Sequence, residues 1–398
     1  MRIVKLGDIA QVTTGKTPSK SSNIYYLDGT IPFVKPPNLG GAVEITSTEE
    51  YLTTDGAKQA NLIPKNSIMV SCIGSLGKVG IAGCDLVTNQ QINSLTFNPK
   101  LVNYKYGYYF ALTLAPLLKQ VANSAVVPIV NKTTFSNFSF VLHPLEEQKR
   151  IVKLLDQADE LRQKRKQAID LLDDYLKSVF LDMFGNPGMN PHKYEKCTIQ
   201  EIADKVTDGE HITPIRTIDG IKLLSARNIK NGYLDFNAGV DYIGEVEYER
   251  IRKRCNPELG DVLISCSGTI GRVTTIDIDE PFTLVRSAAL IKPNRSLILS
   301  KYLEYFLRTD YSQREMMRSV NQSSQANLFL GKINKLSILL PPITKQLDFV
   351  NRFNSVVSIK QKMLIQSSEM ENQFQALMQK SFLPSTNATY EYENSPSF

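Results

Sequence analysis

Few side chains in this sequence fall into arrangements that could catalyse a reaction. The three histidines, His143, His192 and His211, lie far apart, and none belongs to an HExxH, HxE or HNH-like motif. The five cysteines include no CxxC pair, which argues against both a zinc knuckle and a disulfide framework. GSLGK at 74–78 lacks the spacing of a Walker loop and the hydroxyl after its lysine. We therefore predict no metal site, no cofactor site and no catalytic centre in this chain.

Two segments approach enzyme motifs without matching them. An adenine methyltransferase should show an Asn-Pro-Pro-aromatic motif, whereas residues 35–38 read Lys-Pro-Pro-Asn. Glu147 and Lys149 mimic the end of a nuclease ExK motif. They open a helical segment, where carboxylates suit the helix dipole, and no partnered strand aspartate precedes them. A solo methylase or nuclease is therefore the weaker hypothesis.

Polar side chains in the loops have the chemistry of a nucleic-acid surface instead. Lys, Arg and hydroxyl groups contact phosphates, while Arg, Asn and Gln can bind a base edge through two hydrogen bonds. Such residues cluster in TNQQIN (88–93), RNIK (227–230) and NQSSQ (321–325). We predict the following DNA-binding residues: Lys16, Lys35, Asn38, Ser75, Lys78, Asn89, Gln90, Gln91, Asn131, Lys132, Arg227, Asn228, Lys230, Thr269, Arg272, Arg286, Ser287, Asn321, Gln322 and Asn327.

These loops belong to an internal repeat. SCIGSLGKV at 71–79 returns as SCSGTIGRV at 265–273, which is an offset of 194 residues. Four further pairs of segments match in the same order: 6–18 with 199–214, 31–39 with 221–229, 105–110 with 301–306, and 142–152 with 340–350. Matched blocks in one order and at similar spacing indicate a tandem duplication.

Each copy of the repeat predicts an α+β globular domain. SIMVSCIG and DVLISCSG are apolar runs of strand length, and predicted helices are limited to pieces such as 104–120 and 300–318. Cys72 and Cys266 lie inside these runs, so we interpret them as small buried hydrophobic residues. No apolar stretch approaches the ~18 residues of a membrane span, and the first residues do not resemble a secretory signal. We expect a cytoplasmic protein.

The segments after Pro144 and Pro342 predict two long helices. Residues 145–184 contain neither Pro nor Gly, and Gly185 supplies a C-cap. Apolar residues recur at heptad spacing in both segments, with Arg165 as a break in the first. We predict that the helices pack on each other along this seam: Ile151, Leu154, Ala158, Leu161, Leu172, Val179, Phe349, Val356, Ile359, Met363, Met370 and Leu377.

Net positive charge belongs to the predicted domains rather than to the helices. Residues 1–143 carry 12 Lys and Arg against 7 Asp and Glu, and residues 186–342 carry 21 against 19. The first helical segment, 144–185, carries 8 against 9. The formal charge of +6 on the whole chain permits a polyanionic partner such as DNA.

Several of these segments together carry a resemblance to a known family. GKTP at 15–18, the paired loops GSLGKV and GTIGRV, and LHPLEEQKRIV with LPPITKQLDFV resemble the specificity (S) subunit of type I restriction-modification systems. The resemblance covers residue 1 to about 383. The family's helix opening, Pro-Leu-x-Glu-Gln, is intact at 144–148 and departs to Pro-Ile-Thr-Lys-Gln at 342–346.

The resemblance implies an organisation and a set of partners. Residues 1–143 and 186–342 would be target recognition domains, each reading half of a bipartite site in duplex DNA. The spacer helices, 144–185 and 343–383, would form an antiparallel coiled coil that separates the domains about a pseudo-twofold axis and sets the gap. Two methyltransferase (M) subunits and restriction/translocase (R) subunits would bind, carrying S-adenosylmethionine, ATP and Mg²⁺. Residues 384–398 have the composition of a disordered tail.

A stand-alone architectural DNA- or RNA-binding protein is the alternative from another class. Stacking on single-stranded nucleic acid needs exposed aromatic side chains. The 17 Tyr and 17 Phe of this chain fall mostly within apolar runs, and Trp is absent. The composition therefore favours duplex DNA as the ligand.

Overall fold

We describe the protein from a computed structural model, in which residues 1–21, 23–41, 43–122, 127–320 and 326–382 are described. The chain divides into two compact units. Unit 1 comprises Met1–Gln167 with Leu364–Phe398, and unit 2 comprises Ala168–Met363. None of the helices in the described ranges is both long enough and apolar enough to cross a membrane.

Unit 1 is an α+β fold. Its strands are β1 (Arg2–Lys5), β2 (Ala10–Thr14), β3 (Ile31–Val34), β4 (Glu44–Ile45), β5 (Tyr51–Leu52), β6 (Leu62–Ile63), β7 (Ile68–Ser71), β8 (Val79–Ala82), β9 (Leu86–Thr88), β10 (Ile92–Phe97) and β11 (Ser139–Leu142). Its helices are α1 (Leu6–Ile9), α2 (Thr54–Lys58), α3 (Tyr104–Leu112), α4 (Leu114–Val121), α5 (Lys132–Ser136) and the 3₁₀ turns Asn23–Tyr25 and Pro36–Asn38. The first long helix, α6 (Leu145–Phe184), begins in unit 1.

Unit 2 has the same kinds of element. Its strands are β12 (Glu195–Thr198), β13 (Ala203–Asp208), β14 (Arg216–Thr217), β15 (Ile221–Leu224), β16 (Ile229–Lys230), β17 (Tyr233–Leu234), β18 (Asp241–Ile243), β19 (Val262–Ser265), β20 (Val273–Thr275), β21 (Phe282–Leu284), β22 (Ala288–Pro293) and β23 (Ser337–Leu340). Its helices are α7 (Ile199–Ile202), α8 (Glu245–Arg252), α9 (Ser300–Leu307), α10 (Asp310–Ser319), α11 (Leu330–Ile333) and the 3₁₀ turn Ala226–Asn228. The second long helix, α12 (Ile343–Phe382), begins in unit 2.

The two units share a sheet topology, which confirms the predicted duplication. The antiparallel order β2-β10-β7-β8 of unit 1 returns as β13-β22-β19-β20 in unit 2. The parallel pair β3-β9 returns as β15-β21, and the antiparallel pair β1-β11 returns as β12-β23. In each unit the antiparallel sheet contributes to a buried core that also contains residues of both long helices.

One buried glutamine fixes the start of each long helix. Gln148 is fully buried, and its Oε1 accepts from the Asn103 N–H at 2.9 Å while its Nε2 donates to two backbone carbonyls. Gln346 is buried in the same way and accepts from the Leu299 N–H at 2.8 Å. Both helices begin one residue after a proline. The departure at 342–346 therefore leaves the helix start unchanged, because the glutamine retains its contacts.

The seam of the long helices includes nine of the twelve predicted residues and departs from the prediction by one residue at the other three. On α6, one series of positions is buried or half-buried throughout: 151, 155, 158, 162, 165, 169, 172, 176, 179 and 183. On α12 the same holds for 349, 353, 356, 360, 363, 367, 370, 374, 377 and 381. The second series equals the first with 198 added, and each repeats every seven residues. The long helices are therefore copies of one another in their packing.

Three predicted seam residues are wrong. Leu154, Leu161 and Ile359 are 41%, 57% and 49% exposed. Each lies one residue before a position of the observed seam, which is Leu155, Arg162 or Lys360. The prediction misses these positions because two adjacent apolar stripes share the same helix surface. Arg165, which interrupts the apolar series in the sequence, is a half-buried member of the seam.

Charged pairs join the two long helices within each unit. In unit 1, Arg162 binds Glu371 and lies over the Phe374 ring, 4.1 Å from its centroid. In unit 2, Lys360 binds Asp173 at 2.7 Å. Arg162 and Lys360 are equivalent under the offset of 198, as are Asp173 and Glu371. Hydrogen bonding from Gln375, and then the charge of Arg162, holds the pKa of Glu371 below its ordinary value.

The helices run antiparallel within each unit. In unit 2, Phe184 lies 5.7 Å from Phe349 between ring centroids, whereas Asp173 contacts Lys360. As the residue number on α6 rises from 173 to 184, the number of the residue in contact with it on α12 falls from 360 to 349. The predicted antiparallel arrangement is confirmed at this level.

Candidate nucleic-acid interface

A tight turn projects from the same place in each unit. In unit 1 it follows β9 and comprises residues 89–92; in unit 2 it follows β21 and comprises residues 285–288. We call these the tip turns. The Ile92 N–H donates to the Asn89 carbonyl at 3.1 Å, and the Ala288 N–H donates to the Val285 carbonyl at 3.0 Å. The same i to i+3 hydrogen bond therefore closes both turns.

Neighbouring strands anchor both tip turns through equivalent hydrogen bonds. The Asn89 N–H donates to the Val34 carbonyl at 3.1 Å, and the Val285 N–H donates to the Leu224 carbonyl at 3.0 Å. On the other side, the Gln91 carbonyl accepts from Cys72 at 2.7 Å, and the equivalent carbonyl of residue 287 accepts from residue 266 at 2.8 Å. Each turn is thus held rigidly at both of its ends.

The glycine loops, residues 71–78 and 265–272, lie beside the tip turns. The Ser71 hydroxyl accepts from the Lys78 N–H at 2.9 Å and donates to the Ser75 carbonyl. Ser265 makes the same two bonds, at 2.9 Å and 2.6 Å, with residues 272 and 269. Gly77 has φ +79° and packs so closely that an added Cβ would lie 2.5 Å from the Ala115 Cβ. Only glycine fits this position.

A third loop approaches each tip turn at a glycine. The Lys16 N–H donates to the Thr88 carbonyl at 2.9 Å, and the Glu210 N–H donates to the Leu284 carbonyl at 2.7 Å. A Cβ added to Gly15 would lie 2.1 Å from the Asn89 carbonyl oxygen. The structure therefore brings the predicted segments 15–18, 71–78 and 88–93 of unit 1 into one loop cluster, and it builds an equivalent cluster in unit 2.

Cations without an ion-pair partner among the described residues lie on these loops and, for Lys132, at the start of α5. Lys16, Lys78, Lys132 and Arg286 are exposed, and Arg272 is half-buried. Within the described ranges, no carboxylate lies at ion-pair distance from any of these five side chains. Such cations are available to a phosphate backbone.

Unit 2 carries a carboxylate where unit 1 carries Lys16. Glu210 occupies the equivalent position, and its Oε2 accepts from Arg250 at 2.9 Å. Burial alone would raise the pKa of Glu210, but the Ile212 N–H and the Arg250 charge outweigh burial and hold the pKa below its ordinary value. Arg250 also binds Glu247 at 2.8 Å, so two carboxylates share one guanidinium here. The alignment of GKTP with GEHITP contained the signal for Glu210, whereas nothing in the sequence marked Arg250.

Three of the predicted asparagines have structural roles. Asn228 is fully buried; its Oδ1 accepts from the Ser225 N–H at 2.9 Å, and its Nδ2 donates to two backbone carbonyls. The Asn38 Oδ1 likewise accepts from the Lys35 N–H at 2.8 Å. We correct the prediction for Asn228, because its amide is consumed inside the protein. Asn89 is also buried, with its amide bonded to Gln91.

Several other predicted DNA-binding side chains form ion pairs or hydrogen bonds within the protein. Arg227 lies 3.3 Å from Asp241, which Arg216 shares, while Lys35 pairs with Glu50 and Lys230 lies 3.8 Å from Asp235. Two further side chains are engaged: Asn131 caps α5, and Ser287 accepts from the Ala226 N–H. The backbone of Asn327 bridges to Ser267, whereas its Oδ1 is buried without a hydrogen-bond partner among the described residues. Ser75 and Thr269 are exposed within the glycine loops. Asn321 and Gln322 lie outside the described residues.

Cys72 and Cys266 are buried hydrophobic residues, as predicted. Their side chains are 2% and 3% exposed. Burial raises the pKa of the Cys72 thiol to about 11 and that of the Cys266 thiol to about 12. We therefore expect both thiols to be protonated at neutral pH.

Two copies of one cation-bearing loop cluster, each on its own α+β unit, define a tandemly duplicated nucleic-acid-binding protein. A family model described as "Type I restriction modification DNA specificity domain" matches residues 1–171 and 191–366. The chain therefore belongs to this family, and it is a DNA specificity subunit of a type I restriction-modification system.

Individual relatives agree with this assignment. The chain is 22% identical over 379 residues to the type I restriction enzyme MjaIX specificity subunit of Methanocaldococcus jannaschii, across 89% of this chain and 85% of the relative. A solved chain from a study of assembly and conformational transition in the type I R-M system superposes with a TM-score of 0.64 at 16% identity, covering 96% and 97% of the two chains. The S subunit from M. genitalium superposes with a TM-score of 0.53 at 14% identity, covering 97% and 96%. These structures share its fold.

Proposed function

We propose that the chain reads a bipartite site in duplex DNA, with unit 1 recognising one half and unit 2 the other. The observation that carries this proposal is the repetition of one loop cluster, with the same anchoring hydrogen bonds around each tip turn. Exposed cations beside the turns suit phosphates, and exposed polar side chains on the turns suit base edges. A DNA target in two halves requires two recognition units, and the two units of this chain have the same construction.

We assign reading and spacing to different parts of the chain. Residues 1–143 and 186–342 are the proposed recognition domains, and 144–185 and 343–383 are the proposed spacer helices. In support, α6 and α12 each run for 40 residues without a break. Helices of that length span about 60 Å. A stiff element of fixed length suits the task of holding two readers at a set distance.

We propose that methyltransferase subunits and restriction/translocase subunits bind this chain. The long helices supply apolar side chains for such docking: Leu154 and Leu161 are exposed in unit 1, and Leu171 and Tyr175 are exposed in unit 2. Exposed apolar side chains on otherwise polar helices are typical of protein interaction surfaces.

The chain itself is proposed to be non-catalytic and to act in the cytoplasm. S-adenosylmethionine, ATP and Mg²⁺ would then bind to the partner subunits. Family membership supports the assignment of DNA recognition to this chain and of cofactor binding to its partners, because the matching model describes a DNA specificity domain.

Salt dependence of DNA binding tests the proposal. The chain, free and in complex with its methyltransferase, is titrated with a labelled duplex at several salt concentrations and read by fluorescence anisotropy. We expect tight binding only in the complex, with log K falling linearly with log salt by about 0.9 per phosphate neutralised. An affinity independent of salt would contradict DNA binding. Preferential competition by single-stranded RNA would favour the alternative of an RNA-binding protein.

A further inference from the structure

Residues 90 and 286 occupy one backbone position in the two copies of the fold. Each is the second residue of its tip turn, between an N–H that donates to the parallel neighbouring strand and a carbonyl that accepts from the glycine loop. The side chains are exposed in both units, and they are Gln90 and Arg286. The two units thus present different side-chain end groups from the same backbone position, which hydrogen bonds hold on both sides.

The neighbouring matched positions of the tip turns do not share this property. The position before it is Asn89, which is buried, and Val285, which has no polar end group. The position after it is Gln91 and Ser287, whose side chains accept hydrogen bonds within the unit. Position 90/286 therefore stands out among the matched positions of the tip turns: in both units its side chain is exposed and can form two parallel hydrogen bonds.

The immediate surroundings of both side chains favour such bonds. The Gln90 Oε1 accepts from the Thr17 hydroxyl at 2.6 Å, which orients the amide and leaves its Nε2 to donate outward. A second lone pair remains on Oε1 for a further donor. Arg286 has no carboxylate at ion-pair distance in the part of unit 2 that the structure describes, so its guanidinium is not consumed internally.

We infer that this position reads one base in each half-site: Gln90 an adenine, and Arg286 a guanine. A glutamine amide matches the N6 and N7 groups of adenine in the major groove, and a guanidinium matches O6 and N7 of guanine. This inference rests on the proposed function, because it takes each unit to read one half of the DNA target. It adds which side chain reads and which base is read.

Exchanging the two end groups tests the inference. The full chain, assembled with its methyltransferase, selects targets from a randomised duplex library, and bound sequences are compared for wild type, Gln90→Arg and Arg286→Gln. We expect Gln90→Arg to change one position of one half-site from adenine to guanine and to leave the other half-site as it was. Arg286→Gln makes the reverse change in the other half-site. The preference at each position should be roughly 5- to 160-fold.

Matched controls separate base reading from charge and from folding. Gln59→Arg and Arg352→Gln make the same exchanges at exposed positions outside the loop clusters, at the end of α2 and on α12, and they should leave both half-sites unchanged. Gln90→Ala should remove the preference for adenine at one position while the rest of the target is still selected.

Two outcomes would overturn the inference, and a third would contradict the proposed function. A target that is unchanged in Gln90→Arg and Gln90→Ala, with binding retained, would overturn the inference and leave the proposed function standing. A change that appears equally in the Gln59→Arg control would overturn it as well. A wild-type complex that selects no two-part target would contradict the proposed function itself.

Discussion

Lengthening both long helices by one heptad should lengthen the gap between the two half-sites. The seam repeats every seven residues on α6 and on α12, and the two series differ by 198. Insertions after Gln167 and after Ile365 are therefore equivalent in the two helices. Seven residues at each point preserve the seam register, because the following residues return to the same face with a drift of only about 20°.

The size of the change follows from helix geometry. Seven residues add about 10.5 Å to a helix, since each residue contributes about 1.5 Å. One base-pair step of B-DNA is about 3.4 Å. The preferred gap should therefore grow by about one to three base pairs, with the upper value reached when the helix axis is parallel to the DNA axis.

The assay measures methylation across targets whose central gap varies while both half-sequences are constant. A four-residue insertion at the same two points is the control, because it adds about 6 Å but rotates the following residues by about 40° and breaks the seam. We expect the heptad variant to prefer a longer gap and to retain more stability than this control. An unchanged optimal gap in a folded, methyltransferase-bound heptad variant would refute the spacing role of the helices.

Two further predictions concern the stability and reactivity of the chain. Gln148→Leu should lower the free energy of unfolding by about 3 kcal/mol, at about 1 kcal/mol for each of three lost hydrogen bonds. The exposed control Gln157→Leu on the same helix should change it by less than about 0.5 kcal/mol in urea titrations followed by circular dichroism. Cys72 and Cys266 should resist alkylation at pH 8 in the native protein, because their raised pKa values keep them protonated there; native alkylation as fast as in urea would contradict their burial.

The repeated architecture could be predicted from the sequence because it depends on local signals. Proline, glycine and the period of apolar residues determine where a long helix starts and ends, and α6 ends at Phe184 before Gly185, as expected. Repeated segments such as 71–79 and 265–273 fold alike because they carry the same glycines at the same spacing. Each copy of the loop has two left-handed glycines, Gly74 and Gly77 in the first and Gly268 and Gly271 in the second, with φ between +69° and +85°.

The seam phase and the roles of polar side chains could not be predicted in the same way. Leu161 is apolar but exposed, whereas Arg162 lies on the seam because its guanidinium stacks over the Phe374 ring and binds Glu371. Hydrophobicity alone would place Leu161 on the seam and Arg162 in solvent, which is the reverse of their observed burial. Likewise, the composition of a loop cannot reveal whether an amide such as that of Asn228 is consumed by backbone groups that lie close only in the folded chain.

Mapping modified bases in the genome tests the central claim most directly. Cells that carry the chain with its methyltransferase are compared with cells from which only this chain has been removed. The account predicts one modified sequence made of two defined half-sites, separated by a gap of fixed length and free sequence, that disappears with the chain. A modified sequence that persists without the chain, or one that is a single uninterrupted block, would contradict recognition by two separate units.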